Sequence, residues 1–286
     1  MSQKLIQFII LHMSKWRPIL SNCVYVIGDI HGASDLLDII LKRILPLRRT
    51  DGVQDKIIFL GDYIDRHFDS HKVLDTLVAL KNKYKDNVIF LTGNHELMML
   101  EALEIVKFMS ISFDMWMTNG GYHTLSGYVK RSGHDIDPLS LNISRIRDLI
   151  PKEHIDFLLK DLQPYHRMGN FLFTHAGCDP MVSIKDQSLE FLTWDRQLLN
   201  YVLKSINEDS PLPWDDIIVT GHNSNNKCEP IITDKYMMLD CGAPKKLLVV
   251  ELNSMEAFIA SYNKKRLVKF ELKETVKRKS IFRRIS

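Results

Sequence analysis

Five short polar blocks, each placed directly after an apolar run, constrain what this chain can fold into more than any other property of it. Gly28-Asp29-Ile30-His31-Gly32 follows Val24 to Ile27, Gly61-Asp62-Tyr63-Ile64-Asp65-Arg66 follows Ile57 to Leu60, and Gly93-Asn94-His95-Glu96 follows Val88 to Leu91. Thr174-His175-Ala176-Gly177 and Thr220-Gly221-His222 follow Phe171 to Phe173 and Ile217 to Val219 in the same way. Runs this short, apolar throughout and bounded by turn residues, read as strands buried on both faces. Each then delivers polar groups from its C-terminal end.

Helical spacing fills the gaps between the first three. Leu36, Leu37, Ile40, Leu41 and Ile44 form one face of a helix over 33–45 that Pro46 ends, and Val73, Leu74, Leu77, Val78 and Leu80 do the same over 70–84. A third helix is expected over 96–109. Repeated βα units predict a mainly parallel sheet covered by helices, with polar function at the strand C-termini. From 110 to 167 the pattern turns helical and irregular, as an insertion over the site would, and a hairpin is expected where 165–168 meets 171–173 across Gly169-Asn170. The short strands beyond Ile217 suggest a second, antiparallel sheet, giving two packed sheets with helices outside.

Composition bounds the setting. With 286 residues, 45% of them hydrophobic, the chain can bury a large single core, and its four cysteines have no C-x-x-C spacing. Reduced thiols in a cytoplasmic setting are expected. The apolar stretch from Leu5 to Met13 is broken by Gln7 and His12 and is far shorter than the roughly 20 residues a membrane span needs. No small-residue cleavage site follows it, so neither a secreted nor a transmembrane protein is expected; an N-terminal helix or edge segment packed on the domain is. Residues 263–286 hold ten Lys or Arg against two Glu, a net +8 that leaves −5 on the rest of a chain whose total is +3. This basic tail is expected to be solvated, although its alternation of cations with Ile281, Phe282 and Ile285 also suits an anionic membrane surface or nucleic acid.

Asp29 and His31 are two apart after one strand, so both can reach one ion, and Asp62, after a neighbouring strand, can bridge two ions with its two oxygens. Asn94, His175 and His222 add neutral oxygen and nitrogen donors. Mixed O and N ligands without thiolate suit Mn, Fe or Zn rather than a structural cysteine site. Each residue alone has an ordinary explanation as a turn former. Six at successive strand ends do not.

On these blocks, GDIHG, GDYIDR, GNHE, THAG and GH in that order, the chain resembles the phosphoprotein phosphatase branch of the calcineurin-like metallophosphoesterases. Asn119-Gly120-Gly121 with Thr124 and Tyr128, and Trp194-Asp195-Arg196, are similar to segments of bacterial-type members, both serine/threonine protein phosphatases and symmetric dinucleoside tetraphosphatases. The resemblance implies an α/β metallophosphoesterase-like four-layer sandwich, two packed mixed β-sheets flanked by helices. Residues 23–262 would be the catalytic domain, with 97–165 as a helical insertion over the site, between an N-terminal segment (1–22) and the basic tail (263–286).

It also implies a metal-dependent phosphoester hydrolase with two divalent ions, Mn2+ first and Fe or Zn as alternatives, and a bridging hydroxide. Asp29, His31 and Asp62 would hold one ion, and Asp62, Asn94, His175 and His222 the other. His95 would be the general acid, Asp65 its carboxylate partner, and Arg66 and Arg196 the phosphate clamp. The implied substrate is a phosphorylated protein. A dinucleoside tetraphosphate is the alternative, and a pseudophosphatase that only binds phosphorylated partners a third reading. The chain departs from the family at His67, where glycine is usual, and at Asn223-Ser224, where Thr-Pro is usual. His67 is expected to face solvent, with an added phosphate contact as the alternative.

Overall fold

The computed structural model describes residues 23–48, 53–224 and 229–262, together with the backbone of 9–11, 49–50 and 268–271. Strand β1 (Ile9–Leu11) precedes the βα alternation of β2 (Val24–Ile27), α1 (Ser34–Ile44), a ribbon of β3 (Arg49–Thr50) and β4 (Val53–Gln54), β5 (Lys56–Phe59), α2 (Ser70–Tyr84), β6 (Val88–Leu91) and α3 (Asn94–Ala102). The helical passage holds α4 (Phe113–Trp116), α5 (Tyr122–Arg131), α6 (Ile143–Leu149) and α7 (Lys152–Lys160). After β7 (Leu162–Gln163), β8 (Tyr165–Met168) and β9 (Phe171–Thr174) come α8 (Leu189–Trp194) and α9 (Gln197–Glu208). The chain then runs through β10 (Ile217–Thr220), β11 (Ile231–Thr233), β12 (Tyr236–Met238), β13 (Lys246–Glu251), β14 (Glu256–Ser261) and β15 (Val268–Glu271).

Two mixed sheets result, ordered β1-β11-β12-β10-β9-β8 and β15-β14-β13-β2-β5-β6-β7. Side-chain alternation decides what each face covers, because successive residues of a strand point to opposite sides. Val24 and Val26, Ile58 and Leu60, and Ile89 and Leu91 meet Phe171, Phe173, Ile217 and Val219 of the other sheet in one buried cluster. Their neighbours Ile27, Ile57, Phe59, Val88 and Phe90 turn outward onto α1, α2 and α7. On the far side Leu172 and Ile218 pack with Leu192, Leu198 and Val202 of α8 and α9. Helices, sheet, sheet and helices therefore make four layers, and runs buried on both faces explain why the strands are apolar throughout. Each large apolar side chain so buried contributes about 1.5–3 kcal/mol relative to exposure.

The fold differs from the sequence expectation in two places. The strands beyond Ile217 do not form an antiparallel sheet of their own. β10 runs parallel to both β9 and β12, whereas β13 and β14 join the other sheet, β13 antiparallel to β2. The reason is burial: Leu247 to Val250 are apolar on both faces and need a covered, central position beside β2. The third helix ends at Ala102, not Met109. There the Glu101 carboxylate accepts the N–H groups of Phe108, Met109 and Ser110 at 2.9, 2.8 and 2.7 Å, which folds the chain back. The hairpin across Gly169 forms as expected, with Tyr165 opposite Thr174 and Gly169 at φ 58°.

At the termini, β1 lies at a sheet edge parallel to β11, and Val268–Glu271 pairs antiparallel with β14. The cation-rich end of the tail, 277–286, lies outside the described residues, as do His12 and Cys228. Among the described residues no helix is long and apolar enough to cross a membrane.

Candidate metal centre and active site

The C-terminal ends of β2, β5, β6, β9 and β10 bring all five polar blocks to one place. The loops after β2 and β5 are laced together: the N–H groups of Ile30 and His31 donate to Asp62 O at 3.0 and 2.9 Å, and Gly32 N–H donates to Tyr63 O at 2.8 Å. His31, Asp62, Asp65, Arg66 and His222 all sit at positive φ, between 47° and 72°. Non-glycine residues held there cost of order 1–3 kcal/mol each, so the surrounding bonds must over-determine them. Glu96 does much of this. Its buried carboxylate accepts the N–H groups of Asp62 and Gly93, both at 3.0 Å, and of Tyr63 at 2.8 Å.

Gly93 is required by close approach. A Cβ there would lie 2.3 Å from both the N and Oδ1 of Asp62 and 2.6 Å from Glu96 Oε2. Gly93→Ala is therefore expected to push Asp62 aside, cost about 1–3 kcal/mol of stability as overpacking does, and lower metal affinity at the same time. Urea denaturation and metal analysis of the purified variant would check both, and wild-type values in each would count against this placement of Asp62.

Asp62 is the hub. Its Oδ2 lies 3.6 Å from His31 Nε2 and 3.9 Å from His95 Nε2, and its Oδ1 lies 3.3 Å from His175 Nε2. Two sets of ligand atoms fall within 4.8 Å of one another among the described residues: His31, Asp62 and His95 on one side, Asp62, His175 and His222 on the other. Asn94 Oδ1 joins the second set, 3.1 Å from His175 Nε2 and 3.0 Å from His222 Nδ1. Asp29 is buried beside them but belongs to neither set; both its oxygens accept the His222 backbone N–H, at 3.1 and 3.0 Å.

The donors fit a cation. His31 Nδ1 pairs with Ile64 O at 2.9 Å, which leaves Nε2 buried with no hydrogen-bond partner, and His222 Nε2 is likewise orphaned. Such orphans are exceptional in a folded protein. Burial pushes the Asp29 carboxyl well above the usual carboxylate range, reinforced by the neighbouring Asp240. Burial opposes charge on Asp62 too, yet the imidazoles of His175 and His95 hold it well below that range. The converse holds at His175, where Asp62 overcomes burial and raises the ring to about 10. His175 must shed that proton to serve as a ligand, so ion affinity falls as pH is lowered. His222 is pushed down to about 3 by burial and by His175, which leaves it neutral.

Next to the hub, His95 Nδ1 lies 2.7 Å from Asp65 Oδ2 and His95 Nε2 lies 3.0 Å from Arg66 Nη2. With Nδ1–H donated to Asp65, Nε2 accepts from the guanidinium. Burial works against charge on this ring, but Asp62 and Asp65 together raise its pKa above the ordinary histidine value. Arg66 and Arg196 are both exposed. Arg196 follows Asp195, whose carboxylate accepts the N–H groups of Gln197 and Leu198 at the start of α9, and its charge reaches His222.

His67 does not face solvent as expected. It is half-buried, stacked on Tyr262 with ring centroids 5.9 Å apart, and its φ is not positive; Asp65 and Arg66 take that conformation instead. The Asn223 side chain, where the family has threonine, ties the loop after His222 down by donating to Asp195 O at 3.3 Å and Ala176 O at 3.5 Å. Three residues near the site escaped the sequence reading. Asp240 could have been found, because it follows the apolar run Tyr236 to Leu239 as the five blocks follow theirs. Glu96 closes the third block, where nothing local shows that it accepts three backbone N–H groups. Trp116, whose indole N–H lies 3.1 Å from both oxygens of Asp65, reads in sequence as one more core residue.

A family model described as calcineurin-like phosphoesterase matches residues 24–241. Serine/threonine-protein phosphatase SIT4 of Candida albicans is 38% identical over 94 residues, which is 32% of this chain and 29% of that protein. The serine/threonine-protein phosphatase PP2A-like PPG1 of the same species is 38% identical over 78 residues, 27% of this chain and 17% of that one. The chain thus spans under a third of the length of the curated relatives it matches. Among solved structures, the I115M mutant of a cold-active protein tyrosine phosphatase superposes with a TM-score of 0.53 at 17% identity, covering 96% of this chain and 85% of that chain, and so shares the fold. With the family model spanning most of its length, and the whole strand-end site from Asp29 to His222 falling within that span, the chain belongs to the calcineurin-like phosphoesterase family.

Proposed function

We propose that this chain is a metal-dependent phosphomonoesterase acting on phosphoserine and phosphothreonine in proteins. The observation that carries the reading is the sharing of Asp62 between two buried ligand sets, with the His95–Asp65 pair and Arg66 directly beside them. His31 and Asp62, with Asp29 once its oxygens turn from the His222 N–H, would hold one divalent ion; Asp62, Asn94, His175 and His222 would hold the second. The O and N donor set suits manganese. When bound, such a pair supplies an activated water and neutralises phosphate charge.

The chain's own groups do the rest. Arg66 and Arg196 offer paired N–H donors matched to phosphate oxygens. As Arg66 turns to the phosphate it gives up its bond to His95, and Nε2 is then free to carry the proton that the leaving alkoxide needs. Asp62 and Asp65 favour that protonated state. Asp65 also fixes the ring, so the proton is presented in one direction.

The matched relatives are named as serine/threonine-protein phosphatases, which supports protein as the substrate class. The thiols of Cys23 and Cys178, neither in a disulfide, support a reducing, cytoplasmic setting. Manganese-loaded protein given a phosphoserine peptide and diadenosine tetraphosphate in parallel is expected to turn over the peptide at least about tenfold faster, a difference of about 1.4 kcal/mol in barrier. Faster cleavage of the dinucleotide would reassign the substrate, and hydrolysis of neither by metal-loaded protein would sink the enzymatic reading.

A further inference from the structure

Asp65 is gripped by groups that lie outside the five strand-end blocks. Both its oxygens lie 3.1 Å from Trp116 Nε1, and its Oδ1 accepts from Thr124 Oγ1 at 2.7 Å while Oδ2 faces His95 Nδ1 at 2.7 Å. The Asp65 N–H donates to the same Thr124 hydroxyl at 2.8 Å, and Ser70 Oγ lies 2.9 Å from it. Asp65, Trp116 and Thr124 are all fully buried. A buried indole N–H needs a partner, and most such groups in a core find a backbone carbonyl. Here the partner is the carboxylate beside the acid.

The intervening turn is shaped around this contact. Gly120 takes φ 109° within 117–121, and a Cβ on Gly121 would lie 2.6 Å from the Trp116 ring. Gly120 O accepts the Arg66 N–H at 3.1 Å, and a Cβ on Gly120 would lie 2.7 Å from Arg66 N. One turn therefore seats the indole under Asp65 and the backbone of Arg66 on the other side.

We propose that Trp116, supported by Thr124, is a positioning residue for the acid. The indole N–H and the hydroxyl lock the Asp65 carboxylate so that Oδ2 stays on His95 Nδ1, and the imidazole is thereby held with Nε2 toward the leaving oxygen. Without the indole N–H, Asp65 can rotate about its side-chain bonds, and the ring loses its fixed direction. This rests on the reading of His95 as general acid.

The test exploits the leaving group. A seryl alkoxide needs a proton as it departs, whereas para-nitrophenolate leaves without one, so a misaligned acid slows the first substrate selectively. Trp116→Phe keeps an aromatic ring and removes the N–H. In manganese-loaded protein its kcat is expected to fall about tenfold more on a phosphoserine peptide than on para-nitrophenyl phosphate, a fraction of the roughly 10²- to 10⁴-fold a general acid supplies. Thr124→Val is expected to show the same bias, and Thr124→Ser to recover most of it; this pair carries the test if Trp116→Phe does not fold. His95→Asn is measured alongside. Losses in the Trp116 and Thr124 variants that are equal on the two substrates, while His95→Asn is strongly biased, would overturn the positioning role alone. An unbiased His95→Asn would overturn the acid assignment, and the positioning role with it.

Discussion

Asp62→Asn is expected to lose bound metal and turnover together while keeping its fold. Asp62 is the side chain shared by both ligand sets, within 3.3 to 3.9 Å of imidazole nitrogens of His31, His95 and His175. Its charge balances these rings, so a neutral amide in its place removes the chief anionic donor from both sides at once. The amide oxygen can still accept the His95 backbone N–H that Asp62 Oδ1 accepts at 3.1 Å, and Glu96 still holds the backbone N–H of residue 62. The loop is thus expected to persist. Metal analysis of the purified variant should find far less manganese than in wild type, with hydrolysis reduced by at least about 10³-fold, as expected when the pair that makes the nucleophile and clamps the phosphate is lost. Wild-type turnover in this variant would refute the shared role.

His95→Asn separates chemistry from metal binding. His95 is bound to Asp65 through Nδ1, and its Nε2 faces Arg66 rather than an orphaned space. Removing the imidazole is expected to lower kcat on a phosphoserine peptide by roughly 10²- to 10⁴-fold. Metal content should remain close to that of wild type. This is the sharper of the two expectations, because His95 Nε2 also lies within 4.8 Å of the His31 and Asp62 ligand atoms. A large fall in bound metal in this variant would make His95 a ligand and move the acid elsewhere.

The strand-end pattern was legible because it combines two local signals, an apolar run and a polar turn, and both survive in a single sequence. Val24 to Ile27 and Ile57 to Leu60 read as strands whatever their neighbours are, and Asp29 and Asp62 follow them directly. Strand partnering was not legible in this way. Leu247 to Val250 carries no mark of which sheet it joins; only the need to bury both of its faces, a property of the assembled molecule, sends it beside β2. The end of α3 is not legible in sequence because Glu101, four positions before Ile105, looks like an exposed helical acid and instead turns to the backbone of 108–110.

Within the site, long-range contacts were the hidden part. Asp65 and Trp116 are 51 residues apart, and nothing in the local pattern around Trp116 distinguishes a core indole from one that donates to a carboxylate. Against the glycine usual there, His67 reads as a solvent-facing substitution, yet its partner Tyr262 stands 195 residues away. Asp240 was the one omission with a local cause. It repeats the strand-end pattern and lacks only the glycine before it.

The most direct measurement is a titration of chelator-stripped protein with manganese, following bound metal and hydrolysis of a phosphoserine peptide in the same samples. Stripped protein should be inactive, and activity should rise with occupancy and level off near about two ions per chain, as a two-metal site requires. Hydrolysis by the metal-free protein, or full activity at a single bound ion, would contradict a site built around the shared carboxylate of Asp62.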